Sequence, residues 1–188
     1  MQAIKKQPKP ELVNSLLHVE GVFLGLIFIP YLLYTASKKT NDILIIATRF
    51  YGLAFLMQFS FSSLYHVFLQ PKIKHLFEIP DHVSIYFLIA GTYTPLVIIF
   101  LNTTFGVALL IALWFLTIID SLSKLFFTGK FEILSTIIYI LTGLLLLTCS
   151  KRSFISIPPS VTTLIITGVR LYCMGLYFIS GKNLPIIM

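Results

Sequence analysis

Charge is what this sequence has least of. Only 11% of its 188 residues are Asp, Glu, Lys or Arg, and the acids number seven, whereas a soluble domain carries roughly 25% charged residues. That leaves too little polar surface to cover a globule of this size, which excludes a cytosolic enzyme, a nucleic-acid-binding domain and a disordered tail. Cysteine is scarce as well. Cys149 and Cys173 both lie in apolar stretches and read as small buried hydrophobes, not as a disulfide pair or a metal site. The apolar runs lack the alternation of a membrane barrel. Repeats and low-complexity tracts are missing too. The basic residues come in ones and twos, with no cluster of the size that reads as an anionic-lipid site.

What the chain has is hydrocarbon. Hydrophobic residues make up 57%, mean hydropathy is +0.93, and Phe (17) and Tyr (9) far outnumber the single Trp. A helical span needs about 20 predominantly apolar residues. The runs Leu16 to Tyr34 and Ile43 to Leu69 supply two, with Arg49 able to snorkel. Val83 to Ile119 is free of charge and too long for one span; it divides at the polar turn Asn102-Thr103-Thr104 into a third and a fourth. Ile133 to Cys149 and Val161 to Ser180 complete six, with Pro71 to Pro80 expected as a connection. The fold class is therefore all-α: a polytopic integral membrane helix bundle with six transmembrane helices. The polar N-terminus precedes an apolar run, but no small-residue cleavage pattern follows it, which argues against a signal peptide.

Orientation follows from Lys and Arg, which hold loops in the cytoplasm. With the N-terminus inside, the cytoplasmic segments hold Lys5, Lys6, Lys9, Lys72, Lys74, Lys124, Lys130 and Lys182; the outer ones hold Lys38, Lys39, Lys151 and Arg152. This predicts a cytoplasmic segment over 1–15 and a single bundle over 16–182. The implied location is the cell membrane, the inner membrane of a bacterium, with the lipid bilayer as partner and no role for nucleic acid.

Polar residues inside spans are costly, so each is a candidate site. The first span carries Asn14, His18, Gly21 and Gly25 on one helical face, with Glu20 off it. Gly21 and Gly25 also form a small-xxx-small pair that admits a close neighbour. Ser62 and His66 lie one turn apart on the second span, and Asp81, Ser84, Leu88 and Thr92 form a stripe on the third. An alternating path through the membrane brings His18, His66 and Asp81 to one depth on the cytoplasmic side. Imidazoles with a carboxylate are the ingredients of a zinc site. A set of interhelical hydrogen bonds accounts for the same residues, and spacing does not separate the two. His75 reads as a solvated residue of a connection. Tyr93-Thr94-Pro95 and Pro30 read as kinks, with Thr94 re-satisfying a freed carbonyl.

The stretches Ser62-Ser63-Leu64-Tyr65-His66, Asp81-His82-Val83-Ser84-Ile85-Tyr86 and Ile89-Ala90-Gly91-Thr92-Tyr93-Thr94-Pro95 resemble the hemolysin III family of bacterial membrane proteins, within the superfamily of progestin and adipoQ receptors. Glu11, Asn14, His18 and the segment Lys124 to Phe131 with Leu134-Ser135-Thr136 add to the likeness, which runs from about Glu11 to Pro185. The resemblance implies a seven-helix bundle with a cytoplasmic N-terminus and a zinc ion near that side. It makes His66 a ligand, Ser62 its hydrogen-bonding neighbour, and Asp81 a group that engages the metal through water. Two further ligands come from a His-x-x-x-His motif on the seventh helix. Some receptor-type relatives hydrolyse ceramide, which implies a lipid substrate, a metal-activated water and Asp81 as general base.

The chain departs from this pattern. It ends at Leu184-Pro185-Ile186-Ile187-Met188, so 183–188 is where a seventh helix would start, and no His follows His82. Three explanations follow: a shortened member whose bundle still inserts, which is the expectation; recruitment of other ligands, with His18 and His82 the better candidates and His75 a remote one; or a second copy covering the open flank. Asp120 and Arg170, of opposite sign within spans, are candidates to pair. The resemblance implies a hemolysin III-like multi-pass membrane protein of undefined physiological role, with a degenerate zinc-dependent lipid-amide hydrolase as its candidate activity. The alternatives are a membrane-perturbing, cytolytic protein and a structural remnant without chemistry. Inverted repeats of a transporter are absent.

Overall fold

Long apolar runs leave the backbone one economical way through a bilayer, which is to bond its own carbonyls in helices. A computed structural model of the chain describes residues 9–39, 41–126, 142 and 157–181. The helices are α1 (Lys9–Ser37), α2 (Asp42–Val67), α3 (Pro71–Phe100), α4 (Thr104–Phe126) and α5 (Pro159–Gly181). The described residues are helical or connect helices. Four stretches are long and apolar enough to cross a membrane: Glu11–Ser37, Asp42–Val67, Pro71–Phe100 and Thr104–Phe126. Large apolar side chains stand exposed along them, such as Phe23, Ile27, Tyr31, Ile111 and Phe115. A soluble monomer does not show apolar surface on that scale. The chain is thus an all-helical integral membrane bundle. The chain divides into two compact units, Met1–Gly143 with α1 to α4 and Leu144–Met188 with α5.

Helix ends follow local chemistry. Asn41 caps α2 by accepting from the Leu44 amide at 3.2 Å. Pro71 opens α3 at a position where its missing N–H costs nothing. Thr103 Oγ1 accepts from the Gly106 amide at the start of α4. The connections between these helices are short, so α1 packs on α2, α2 on α3 and α3 on α4.

Several expectations change. Pro71 to Pro80 is not a connection but the first ten residues of α3. Pro80 is tolerated there because the carbonyl it frees belongs to Leu76, which is exposed. His75 is accordingly helical; it stays exposed and pairs with Glu78 at 2.7 Å. Asn14 is exposed and Ser15 buried, because the contact face of α1 runs through Ser15, His18, Gly21, Gly25 and Ile29. Thr94 bonds the Ala90 carbonyl at 2.7 Å, one residue before the carbonyl freed by Pro95, and its hydroxyl oxygen accepts from the Trp114 indole at 3.1 Å. Asp120 is buried in α4, and Arg170 lies on α5 in the other unit, so the expected pair spans the two units. The fifth expected span Ile133–Cys149 (Thr142 apart), the connections 127–131 and 151–156, and the two ends 1–8 and 182–188 lie outside the described residues.

Small residues set how closely the helices approach. Gly21 receives the Phe59 ring, Gly25 the side chains of Phe55 and Leu56, and Gly52 the side chain of Ile29. Gly91 brings the backbones of α2 and α3 together. A Cβ on Gly91 would lie 3.1 Å from Ala54 Cβ and 3.4 Å from Tyr51 Cα. Backbone cannot step aside, so Gly91→Leu is expected to cost about 1–3 kcal/mol, the range for overpacking. Gly168→Leu is its control, because a Cβ there meets nothing within 4 Å among the described residues. Melting curves of the detergent-solubilised protein check this: Gly91→Leu should melt lower, and Gly168→Leu should not.

Candidate functional site

Helical spacing gathers the charged and imidazole side chains of three helices at one end of the first unit. Glu11 and His18 lie two turns apart on α1, Ser62 and His66 one turn apart on α2, and Lys74, Asp81 and His82 in the first half of α3. The hub is Glu11. Its Oε2 accepts from His66 Nδ1 at 2.6 Å, and its Oε1 accepts from Lys74 Nζ at 2.6 Å. One carboxylate thus binds α1 to both α2 and α3. All three side chains are largely withdrawn from solvent, at 24%, 16% and 27% exposure. Lys74 keeps Glu11 ionised, and an ionised carboxylate only accepts, so the proton between Glu11 and His66 sits on Nδ1. That leaves His66 Nε2 as the nitrogen turned away from Glu11.

The His18 and His66 rings lie nearly parallel, with centroids 5.7 Å apart and an interplanar angle of 3°. Tyr65 packs edge-on against His66 at 5.1 Å and lies 6.4 Å from the His82 ring, while the Lys74 ammonium stands 4.7 Å over the Tyr65 ring. Asp81 is 8% exposed and accepts a hydrogen bond from Ser62. His18, His66 and His82 all lie close enough to act on its charge. One helical turn on, Ser84 Oγ lies 2.9 Å from both Gln58 Oε1 and the Asp81 carbonyl. Two buried polar atoms here have no partner among the described residues, His18 Nδ1 and Asp81 Oδ1. Such atoms cost free energy in a dry bundle unless water, an ion or a substrate meets them.

The structure therefore brings His18, Ser62, His66, Asp81 and His82 to one end of the bundle and leaves His75 outside. Sequence reasoning passes over Glu11 as more than a family match and assigns Lys74 to a connection. The available signal is spacing. Glu11 precedes His18 by seven residues, two turns on one face, and it is the one acid before the first apolar run.

The Glu11 contacts set an expectation for stability. Hydrogen bonds to charged groups are worth about 1.5–3 kcal/mol, and Glu11→Gln should lose much of that. In a double-mutant cycle, Glu11→Gln with His66→Gln should show a coupling on the order of 1 kcal/mol, within the usual range for contacting residues. Unfolding titrations in mixed micelles measure it, and simple additivity would contradict the contact.

The model of a family described as "Haemolysin-III related" matches residues 6–184. The protein called Hemolysin-3 in Bacillus cereus is 34% identical over 177 residues, covering 94% of this chain and 81% of that protein. The Hemolysin-3 homolog of Bacillus subtilis (strain 168) is 33% identical over 177 residues, covering 94% and 83%. No solved structure matches the chain. With nearly its whole length matched, this multi-pass membrane protein belongs to the hemolysin III family.

Proposed function

We propose that this family member is a zinc-dependent hydrolase of a lipid amide, seated in the cell membrane with its N-terminus and polar cluster toward the cytoplasm. The observation that carries the reading is a carboxylate-backed imidazole, His66, beside two buried polar atoms that have no partner among the described residues, His18 Nδ1 and Asp81 Oδ1. Zinc takes imidazole nitrogens and carboxylate oxygens. A carboxylate on the far nitrogen of a ligand His is the arrangement that fixes its tautomer and raises its basicity. The donors fit zinc in kind: His66, His18 and Asp81, the last directly or through water, with His82 next. Among the described residues no three His, Cys, Asp or Glu side chains stand together as a ligand group, so binding requires side chains of α1 and α3 to move toward His66. The count of Lys and Arg supports the orientation, and the likeness to ceramide-hydrolysing members of the superfamily supports the substrate class.

When bound, zinc polarises a carbonyl and acidifies a water. The chain's own residues supply the rest. Glu11 holds the His66 ring and its Nδ1 proton, and Lys74 holds Glu11 ionised. Ser62 orients the Asp81 carboxylate, whose Oδ1 is the proton acceptor in the role of general base.

Elemental analysis of the protein in mild detergent tests the reading. About one zinc per chain is expected, the stoichiometry of a single catalytic site, and His66→Ala should lose it. A well-folded sample without zinc would leave a structural bundle. Dye-loaded liposomes carrying the protein should stay sealed; release would favour the membrane-perturbing reading.

A further inference from the structure

We infer that the opposite end of the bundle holds one acyl chain of an anionic glycerophospholipid, with its headgroup phosphate on Lys39. Between α1, α2 and α3 lies a groove of about 390 Å³, open along one side, with Leu32, Leu44, Leu96 and Ile99 in its walls and Lys39 lining it. Fourteen residues of α1 separate Leu32 from His18, about 21 Å along the helix, so the groove is distinct from the polar cluster. Its volume is near the low end for ligand sites, roughly 300–1,000 Å³. That suits a single chain, not a whole lipid.

The polar atoms in the groove narrow the occupant. Thr35, Thr48 and Thr92 each donate their hydroxyl to a carbonyl of their own helix, at 2.8, 2.8 and 2.7 Å. They therefore present methyl groups and no unmet donors. The remaining polar groups of the lining are the Tyr51 phenol and the Lys39 ammonium. Among the described residues Lys39 has no ion pair, while Lys38 stands 4.3 Å over the Tyr34 ring. The turn that carries Lys39 is held by its own amide bonding the Ala36 carbonyl at 3.0 Å. The nearby exposed Asp42 leaves the segment from Lys38 to Asp42 net positive. In its walls Leu32 and Ile99 are exposed, so the groove is continuous with the lipid-facing surface and a chain can enter sideways from the bilayer. A long apolar slot ending at a cation is complementary to an anionic amphiphile. The sequence offers no polybasic cluster for such a lipid; the groove supplies the selectivity that charge number does not.

Native mass spectrometry of the full chain in mild detergent tests this, with dioleoyl phosphatidylglycerol, dioleoyl phosphatidylcholine or oleate added. The wild type should retain phosphatidylglycerol over phosphatidylcholine. Lys39→Gln should weaken retention of phosphatidylglycerol about fivefold, the equivalent of about 1 kcal/mol per lysine near an anionic headgroup. Lys38→Gln should change it less. Thr92→Phe, which fills the groove, should lower retention of both phospholipids. Equal retention of the two by the wild type, or no change in Lys39→Gln, overturns the site. Oleate held more firmly than phosphatidylglycerol overturns the phospholipid assignment.

Discussion

An ionised carboxylate among apolar helices must find partners, and Glu11 finds two on different helices. The consequence reaches beyond its own energy. Because His66 Nδ1 and Lys74 Nζ both meet the same side chain at 2.6 Å, the axial positions of α1, α2 and α3 are set relative to one another. A slip of one helix by a single turn is about 5.4 Å, which would break both bonds and leave charge without a partner. Removing one partner of such a group costs more than the pair contributes. The alignment of His18 with His66, and of both with Asp81, is a corollary of that register.

Around this polar clamp the packing is steric. In lipid the chain has no hydrophobic drive to bring helices together, so fit between surfaces has to do it. Glycines on α1 and α2 act as sockets for side chains of the facing helix, and Gly91 lets α3 touch the backbone of α2. On α4 the buried face runs through Gly106, Leu109, Leu113 and Thr117 at helical spacing, and Thr117 Oγ1 lies 3.4 Å from the Tyr86 carbonyl on α3. The clamp sets register, and these small-to-large contacts set distance.

How much of this is legible in the sequence depends on the length scale. Run length announces the spans, because bilayer thickness is a demand that composition alone must meet, and the polar turn at Asn102 to Thr104 divides α3 from α4 where expected. The meeting of His18 with His66 follows from depth and alternating direction. The start of α3 does not follow. Two prolines and two lysines look like a connection, yet Pro71 begins a helix as readily as it breaks one, and Pro80 frees a carbonyl at an exposed position. Glu11 and Lys74 are missed for the same reason: their meaning lies in a contact between residues 63 apart in the chain, and no local pattern encodes it. The inward face of α1 is read one residue off at Asn14, because a stripe traced through four positions does not locate its own centre.

The side chains of Thr35, Thr48, Ser63, Thr92, Thr94, Ser121, Thr163 and Thr167 all donate to carbonyls three or four residues back on their own helix. This habit has a consequence for biogenesis. A hydroxyl satisfied within its own helix asks nothing of a neighbour, so most of these helices can enter the bilayer singly during synthesis. Glu11 differs, since both of its partners lie on other helices. Chain order therefore completes this polar end in steps: Glu11 is made first, His66 on α2 next, and Lys74 on α3 last.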